Sequence, residues 1–308
     1  MASQLMSVNG PQSWVEQTYS PAAVAGVSVL VVAATISFFA VLYMIAAIII
    51  TSYHNSHAFL RSHLGAYFLS LVLAEAIQAI GSLLSARWIA LHAVTAGTFC
   101  AAQGALKNAG NVSTALWTMV IAFHTFCVVF LRFNAPTWVF YTTLGGVWVV
   151  VGVNLVLGPG VVQTVAGGPF WGVSGYWCWI TDEYRLAQFM MEYFFMFLTA
   201  TISGILYVII FLRLRGNIID VDESDPDRSP TAPRRSRFRY RLVHAQQPYP
   251  VIYIVLVLPI AACRWAEIFG KSVPFGMTIF ADTVFVLSGL INAILYSTTR
   301  PVPPVPTV

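Results

Sequence analysis

Apolar residues run along most of this chain in long stretches separated by short polar breaks. The first stretch is the longest, since no charged residue lies between Glu16 and Arg61. Its apolar part, Ala22 to about Ile50, exceeds the roughly 7 to 15 residues of a secretory signal's apolar segment and lacks a basic stretch before it. It is therefore expected to be a retained membrane-spanning helix, because about 20 apolar residues at ~1.5 Å each cross a hydrocarbon core of roughly 30 Å. The same measure predicts seven spans, at about 22–52, 63–86, 97–131, 137–157, 186–212, 249–269 and 274–297. In lipid each backbone must satisfy its own polar groups, so every span is expected to be a helix. Short loops then fold them up and down as an all-α, seven-helix transmembrane bundle over 22–299, between a segment 1–21 and a tail 300–308.

Composition agrees: 58% hydrophobic against 9% charged residues excludes an ordinary soluble domain. The short alternating pattern of a membrane β-barrel is absent. Charge sets the direction. Arg61, Arg132, Arg213, Arg215, Arg239, Arg241 and Arg300 fall on one side, against Arg87, Arg185 and Lys271 on the other, with Arg264 near the end of span six. The excess of basic residues marks the cytoplasmic side, so the amino terminus is expected outside and the carboxyl terminus inside. The 213–248 connection is the long one: an acidic half, DVDESDPD, and a basic half, RRSRFRYR, with Pro226, Pro230 and Pro233 ahead of the basic run. That composition predicts a flexible inner loop whose basic part suits anionic lipid, a cytosolic partner, or both.

GYWCWIT, residues 175–181, places Cys178 in the outer 158–185 segment, where disulfides persist. Cys100 at the outer end of span three is the favoured partner, with Cys263, deeper in span six, as the rival; Cys127 lies roughly 40 Å away along the span-three helix. All four cysteines as buried small hydrophobes is the plain alternative. The flanking Trp177 and Trp179 suit an outer membrane interface.

Ionisable groups within spans are costly and face a bundle interior or a wet cavity. Lys107, Glu192 and Asp282 each lie about 9–12 Å below the outer ends of their spans, and Glu75 lies nearer the middle of span two. Each belongs to a polar stripe at helical spacing: Gly104, Lys107, Asn108, Asn111, Thr114 and Thr118; Glu75, Gln78, Ser82 and Ser85; Asp282, Gly289, Asn292 and Tyr296. Such stripes serve either as interhelical glue, with Lys107 paired to Asp282 or Glu192, or as the lining of an outward polar cavity. Three carboxylates against one lysine exceed the needs of a single ion pair. The candidate lining is Glu75, Gln78, Lys107, Asn108, Asn111, Trp177, Glu192, Trp265 and Asp282. The sequon at Asn111 lies inside a span, out of reach of glycosylation.

With a cysteine atop span three, a Cys-Trp pair preceded by Trp177 in the second outer loop, and a long charged third inner loop, the chain resembles a G-protein-coupled receptor. YWCWI, FLRSHLGAYFLSLVLAE and GGVW resemble the fungal cyclic-AMP-receptor-like and glucose-receptor-like receptors. It differs from rhodopsin-like receptors: AFHTFCVVFLRF has no acidic neighbour for Arg132, and NAILY, Asn292 to Tyr296, lacks that class's proline. The resemblance implies a plasma-membrane, multi-pass receptor, not an enzyme, without cofactor or metal. Its expected partners are an extracellular small molecule (nutrient, sugar or cyclic-nucleotide-like), a heterotrimeric G protein and membrane lipids, with no nucleic acid and with room for a homodimer. It implies coupling at Arg61, Arg132, Arg213, Arg215 and Arg239, a switch at Pro259, Asn292 and Tyr296, and phosphorylation of Ser229 and Ser236.

The rival readings are a seven-helix transporter and a membrane-embedded hydrolase. A transporter would show internal repeats or broken half-helices, and a zinc hydrolase would need His and Asp ligands at one depth. Five of the six histidines, His54, His57, His63, His124 and His244, lie towards the inner side and His92 outside, which suits ordinary interfacial histidines and leaves an inner-side zinc site open. A retinal-binding opsin needs a lysine within span seven, and Lys271 precedes it.

Overall fold

A computed structural model describes residues 16–54, 62–133, 135–223, 248–268 and 271–299. The protein is mostly helical (81%). In chain order the elements are β1 (Glu16–Thr18), α1 (Pro21–His54), α2 (His63–Leu83), α3 (Ala86–Leu91), β2 (Ala93–Thr95), α4 (Thr98–Phe126), α5 (Thr137–Leu157), β3 (Trp171–Ser174) and β4 (Trp177–Ile180). There follow α6 (Arg185–Gln188), α7 (Phe194–Glu223), α8 (Pro248–Ile268), α9 (Phe275–Val286) and α10 (Ser288–Thr299).

Among the described residues five helical stretches are long and apolar enough to cross a membrane: Pro21–Tyr53, His63–Leu91, Thr137–Val162, Asp182–Ile210 and Phe275–Thr298. The remaining long helices, α4 and α8, are not among the five. Helix α4 is more polar in composition than α1, α2 or α5, yet its polar residues are buried, so they face the bundle rather than lipid. The polar stripe was thus a correct sign of the interior. Helix α5 is peripheral, with 17% of its membrane-length window buried against 61% for α2.

Helix boundaries follow local chemistry. Ser20 Oγ accepts from the Ala23 amide at 3.2 Å just ahead of Pro21, and Ser62 Oγ accepts from the Gly65 amide at 3.1 Å to cap α2. Helix α3 ends where His92 turns left-handed. The last helical pair breaks at Leu287, and Pro274 caps its start. Helix α7 runs to Glu223, well beyond the end near residue 212 that the sequence pattern predicts.

Helices α2 and α4 approach backbone to backbone. A Cβ on Gly110 would lie 2.5 Å from the Gln78 backbone nitrogen and Cα, so glycine is required for this contact. Gly110→Ala is expected to destabilise by about 1–3 kcal/mol, because α2 must shift outward to admit the methyl. Thermal unfolding in lipid nanodiscs checks this, and unchanged stability would show that the two helices are not in contact there.

Two small sheets close one end. Strand β1 pairs antiparallel with β2, Glu16 opposite Thr95. Strands β3 and β4 form a hairpin with Val173 opposite Cys178 and Ser174 opposite Trp177. Its two-residue turn uses Gly175 at φ 66°, the left-handed geometry that matches strand twist. This hairpin, which the helical and loop pattern of the sequence does not predict, lies across the lid end of α4.

Candidate functional site

The lid is tied down at two buried points. Cys178 in β4 is bonded to Cys100 in the first turn of α4, leaving Cys127 and Cys263 as free thiols. Beside the disulfide, Gln103 is fully buried and acts as a clamp. Its Oε1 accepts from Trp88 Nε1 (2.6 Å) and from the Cys178 amide (3.1 Å), while its Nε2 donates to Ser85 Oγ (2.8 Å) and the Gly81 carbonyl (3.2 Å). One amide side chain thus joins α2, α3, α4 and the hairpin, with its donors and acceptor all used. Trp177 and Trp179 are 4% and 3% exposed, so they are core residues of the lid and not the interfacial anchors that sequence position predicts. At the tip, Tyr176 packs on Phe275 (4.3 Å between ring centres) and its carbonyl accepts from Tyr19.

Below the lid, a wide helical turn at Phe189–Tyr193 leads into α7. It leaves the Met191 carbonyl to accept from Asn154 (2.7 Å) and Asn108 (3.2 Å), and it aims Glu192 at α4. The Glu192 carboxylate takes three donors: Trp179 Nε1 (2.6 Å), Asn108 Nδ2 (2.9 Å) and Asn111 Nδ2 (2.7 Å). Asn111 Oδ1 in turn accepts from Gln78 Nε2 (2.9 Å), and Gln78 Oε1 accepts from Ser288 Oγ (3.3 Å). A continuous hydrogen-bonded path therefore runs from the lid through the α7 entrance, α4 and α2 to the start of α10. Glu75 lies deeper on α2 and accepts from Asn292 Nδ2 of α10, while its Oε2 has no hydrogen-bond partner.

Lys107 and Asp282 stand apart from this hydrogen-bonded path. Both are buried, at 6% and 7% exposure. Among the described residues the one ion pair within 4.0 Å joins Arg264 to Glu267, so Lys107 pairs directly with neither Asp282 nor Glu192. The Lys107 ammonium stands 4.1 Å from the centre of the Trp177 ring, a cation–π contact made by the lid itself. Asp282 Oδ2 is buried without a hydrogen-bond partner, a condition costing about 1–3 kcal/mol or more for a charged group. Arg264 is half-buried, with its guanidinium 5.6 Å from the Trp179 ring and 5.4 Å from Tyr193. Trp265 is 52% exposed and edge-on to Phe197, outside this polar interior.

The switch candidates lie towards the other end. Tyr296 is buried and stacks on Phe68 (5.7 Å), and Pro259 sits inside α8, where it removes one helical hydrogen bond. Arg132 is exposed at the end of the helical stretch after α4, in left-handed conformation. Arg213 and Arg215 lie along α7. Arg61, Ser229, Ser236 and Arg239 fall outside the described residues. His63 and His124 approach to 6.1 Å between ring centres; among the described residues no three His, Cys, Asp or Glu side chains converge as a metal site would require.

Gln103, Ser288 and Arg264 are the members of the site that sequence pattern missed. Gln103 lies one residue before the stripe that starts at Gly104, and Ser288 one residue before Gly289, so each was visible only as an ordinary polar neighbour. No protein-family model and no curated protein matches this chain. Fold and site together define a helical membrane protein with a disulfide-tethered lid over a polar interior.

Proposed function

We propose that the protein is a plasma-membrane G-protein-coupled receptor, with seven spanning helices, the lid and amino terminus outside, and the carboxyl terminus inside. In this reading α4 and α8 also cross the bilayer, α4 hiding its polar face within the bundle. The observation that carries the reading is the hydrogen-bonded path from Trp179 of the lid through Glu192, Asn111 and Gln78 to Ser288. A small molecule under the lid touches one end of this path, and the packing of α2, α4, α7 and α10 depends on the rest of it.

Binding would shift a pre-existing equilibrium towards a state in which α7 and α8 separate at their inner ends, with Pro259 as hinge and Asn292 and Tyr296 following. A heterotrimeric G protein would then engage the inner face, including Arg132, Arg213, Arg215 and Arg239. A coupling of about 1–3 kcal/mol between the two ends is the usual size of such an effect. Phosphorylation at Ser229 or Ser236 would add negative charge there and oppose coupling.

The test is a ligand screen that reads G-protein activation in cells expressing the chain. A variant with Arg213→Glu and Arg215→Glu is expected to reach the surface and lose at least tenfold in activation, since it repels the acidic surface of the partner. Undiminished activation at equal surface expression would remove these residues from the coupling site.

A further inference from the structure

The wide turn at Phe189–Tyr193 also borders a groove. With a volume of about 640 Å³, it runs between the second half of α5 and the stretch from Glu183 to Phe195, and its walls are almost wholly apolar. Val149, Val150, Val153 and Leu157 form one side, and Met190 and Phe195 stand on the other. Both walls belong to stretches long and apolar enough to cross a membrane, and the four α5 residues and Met190 are exposed. The groove therefore opens towards hydrocarbon and not towards water.

One polar group interrupts this lining from within. Asn154, in the last turn of α5, is 7% exposed and lines the groove. Its Nδ2 donates to the Met191 carbonyl at 2.7 Å, whereas its Oδ1 accepts from no described residue. Unlike Asn108 Oδ1, that oxygen is not sealed inside the protein. An amide oxygen open to hydrocarbon lacks the water that would satisfy it elsewhere, so it favours a guest that brings a donor.

We propose that this groove binds one sterol-type alcohol from the bilayer, its hydroxyl donating to Asn154 Oδ1 and its ring body lying along Val150, Val149 and Phe195.

The lining selects the class. Hydrocarbons and phosphatidylcholine carry no hydrogen-bond donor, and an ionised fatty acid would set a second acceptor against Asn154 Oδ1, with the Glu183 carboxylate in the same lining. Tyr184, the remaining polar member, directs its hydroxyl to the Gly168 carbonyl at 2.8 Å. A flexible alkyl alcohol has the donor but loses rotamer freedom when held in a groove, and a fused-ring body is already ordered. Polarity along the groove fits as well: Asn154 is near the end of α5, while Val149 and Val150 fall at the middle of the Thr137–Val162 stretch. An alcohol so placed keeps its hydroxyl towards the membrane surface and its apolar body towards the centre. Because Asn154 also holds the Met191 carbonyl, the occupant steadies the turn that aims Glu192 at α4.

The inference needs a membrane setting but no G protein, so it stands or falls apart from the receptor reading. Full-length protein in phosphatidylcholine nanodiscs is labelled with a diazirine-bearing sterol that keeps its free hydroxyl, and the adducts are mapped by peptide mass spectrometry. Saturable labelling is expected within 149–162 and 183–195. Cholesterol should compete about fivefold better than its methyl ether, the worth of one hydrogen bond. Asn154→Leu should abolish that preference, and Val150→Trp, which fills the groove from an exposed position, should lower labelling about tenfold. Labelling that does not saturate or maps elsewhere, equal competition by alcohol and ether, or equal labelling by a phosphatidylcholine probe would each overturn the proposal. So would cross-links from this face to a second copy of the chain without any sterol adduct. The comparison of alcohol with ether uses the unaltered chain, so it decides the matter even where a variant fails to fold.

Discussion

Cys178→Ser is expected to destabilise the protein by about 2–4 kcal/mol, the usual worth of a native disulfide. The bonded cysteines are separated by 78 residues, for which loop-closure entropy in a free chain amounts to roughly 4.5 kcal/mol. Insertion of the spans already restricts the unfolded ensemble, so the lower figure is the expected one. The loss should be concentrated at the lid: Trp177 and Trp179 are held in the core by the hairpin, and their fluorescence should shift towards that of solvated indole. Cys127→Ser, at a half-exposed free thiol, is the control and should stay within about 0.5 kcal/mol, the range of substitutions away from such features. Peptide mapping without reductant that recovered both Cys100 and Cys178 as free thiols would remove the bond, and with it the basis of this expectation.

Glu192→Ala should be comparably damaging, and Glu192→Gln much less so. Alanine leaves the buried donors of Asn108, Asn111 and Trp179 without their acceptor, a loss of about 3–5 kcal/mol when a buried charged partner is removed. Glutamine keeps one oxygen where Asn108 and Trp179 donate. Its new amide would face Asn111, but the chain beyond can reverse: Asn111 and Gln78 turn over, and the Gln78 amide then donates to Ser288 Oγ. The path has a terminal hydroxyl that serves as donor or acceptor, which is what makes reversal feasible. The expected cost of Glu192→Gln is about 1 kcal/mol, the net worth of a single hydrogen bond. Thermal unfolding of both variants in one nanodisc preparation reads the difference. Equal losses would show that the negative charge itself, and not the acceptor geometry, holds the lid.

Much of the site was visible in the chain because helical periodicity projects linear spacing onto a face. Lys107, Asn108 and Asn111 fall on one stripe of α4, and all three are buried as that spacing predicts. The partners of these residues were not visible. Glu192 and Asp282 were equivalent in the sequence, both carboxylates about 9–12 Å into a span. In the structure the first is saturated and the second is left with an unpaired oxygen. The difference comes from the wide turn at Phe189–Tyr193, which re-aims Glu192 at α4 and which no residue pattern announces. Trp265 on α8 is 52% exposed and packs edge-on to Phe197, outside the hydrogen-bonded interior.

The sequence by itself determined that the protein lives in a membrane and is built of helices, and it determined which faces of those helices are polar, because these follow from local composition and a fixed period. Only the tertiary structure decided that residues 171–180 fold as a hairpin lid, that Gln103 clamps it, and that Lys107 meets the Trp177 ring and not a carboxylate. Those outcomes depend on distances between side chains remote in sequence, as does the close approach of α2 and α4 at Gly110. Linear spacing carries no information about that separation.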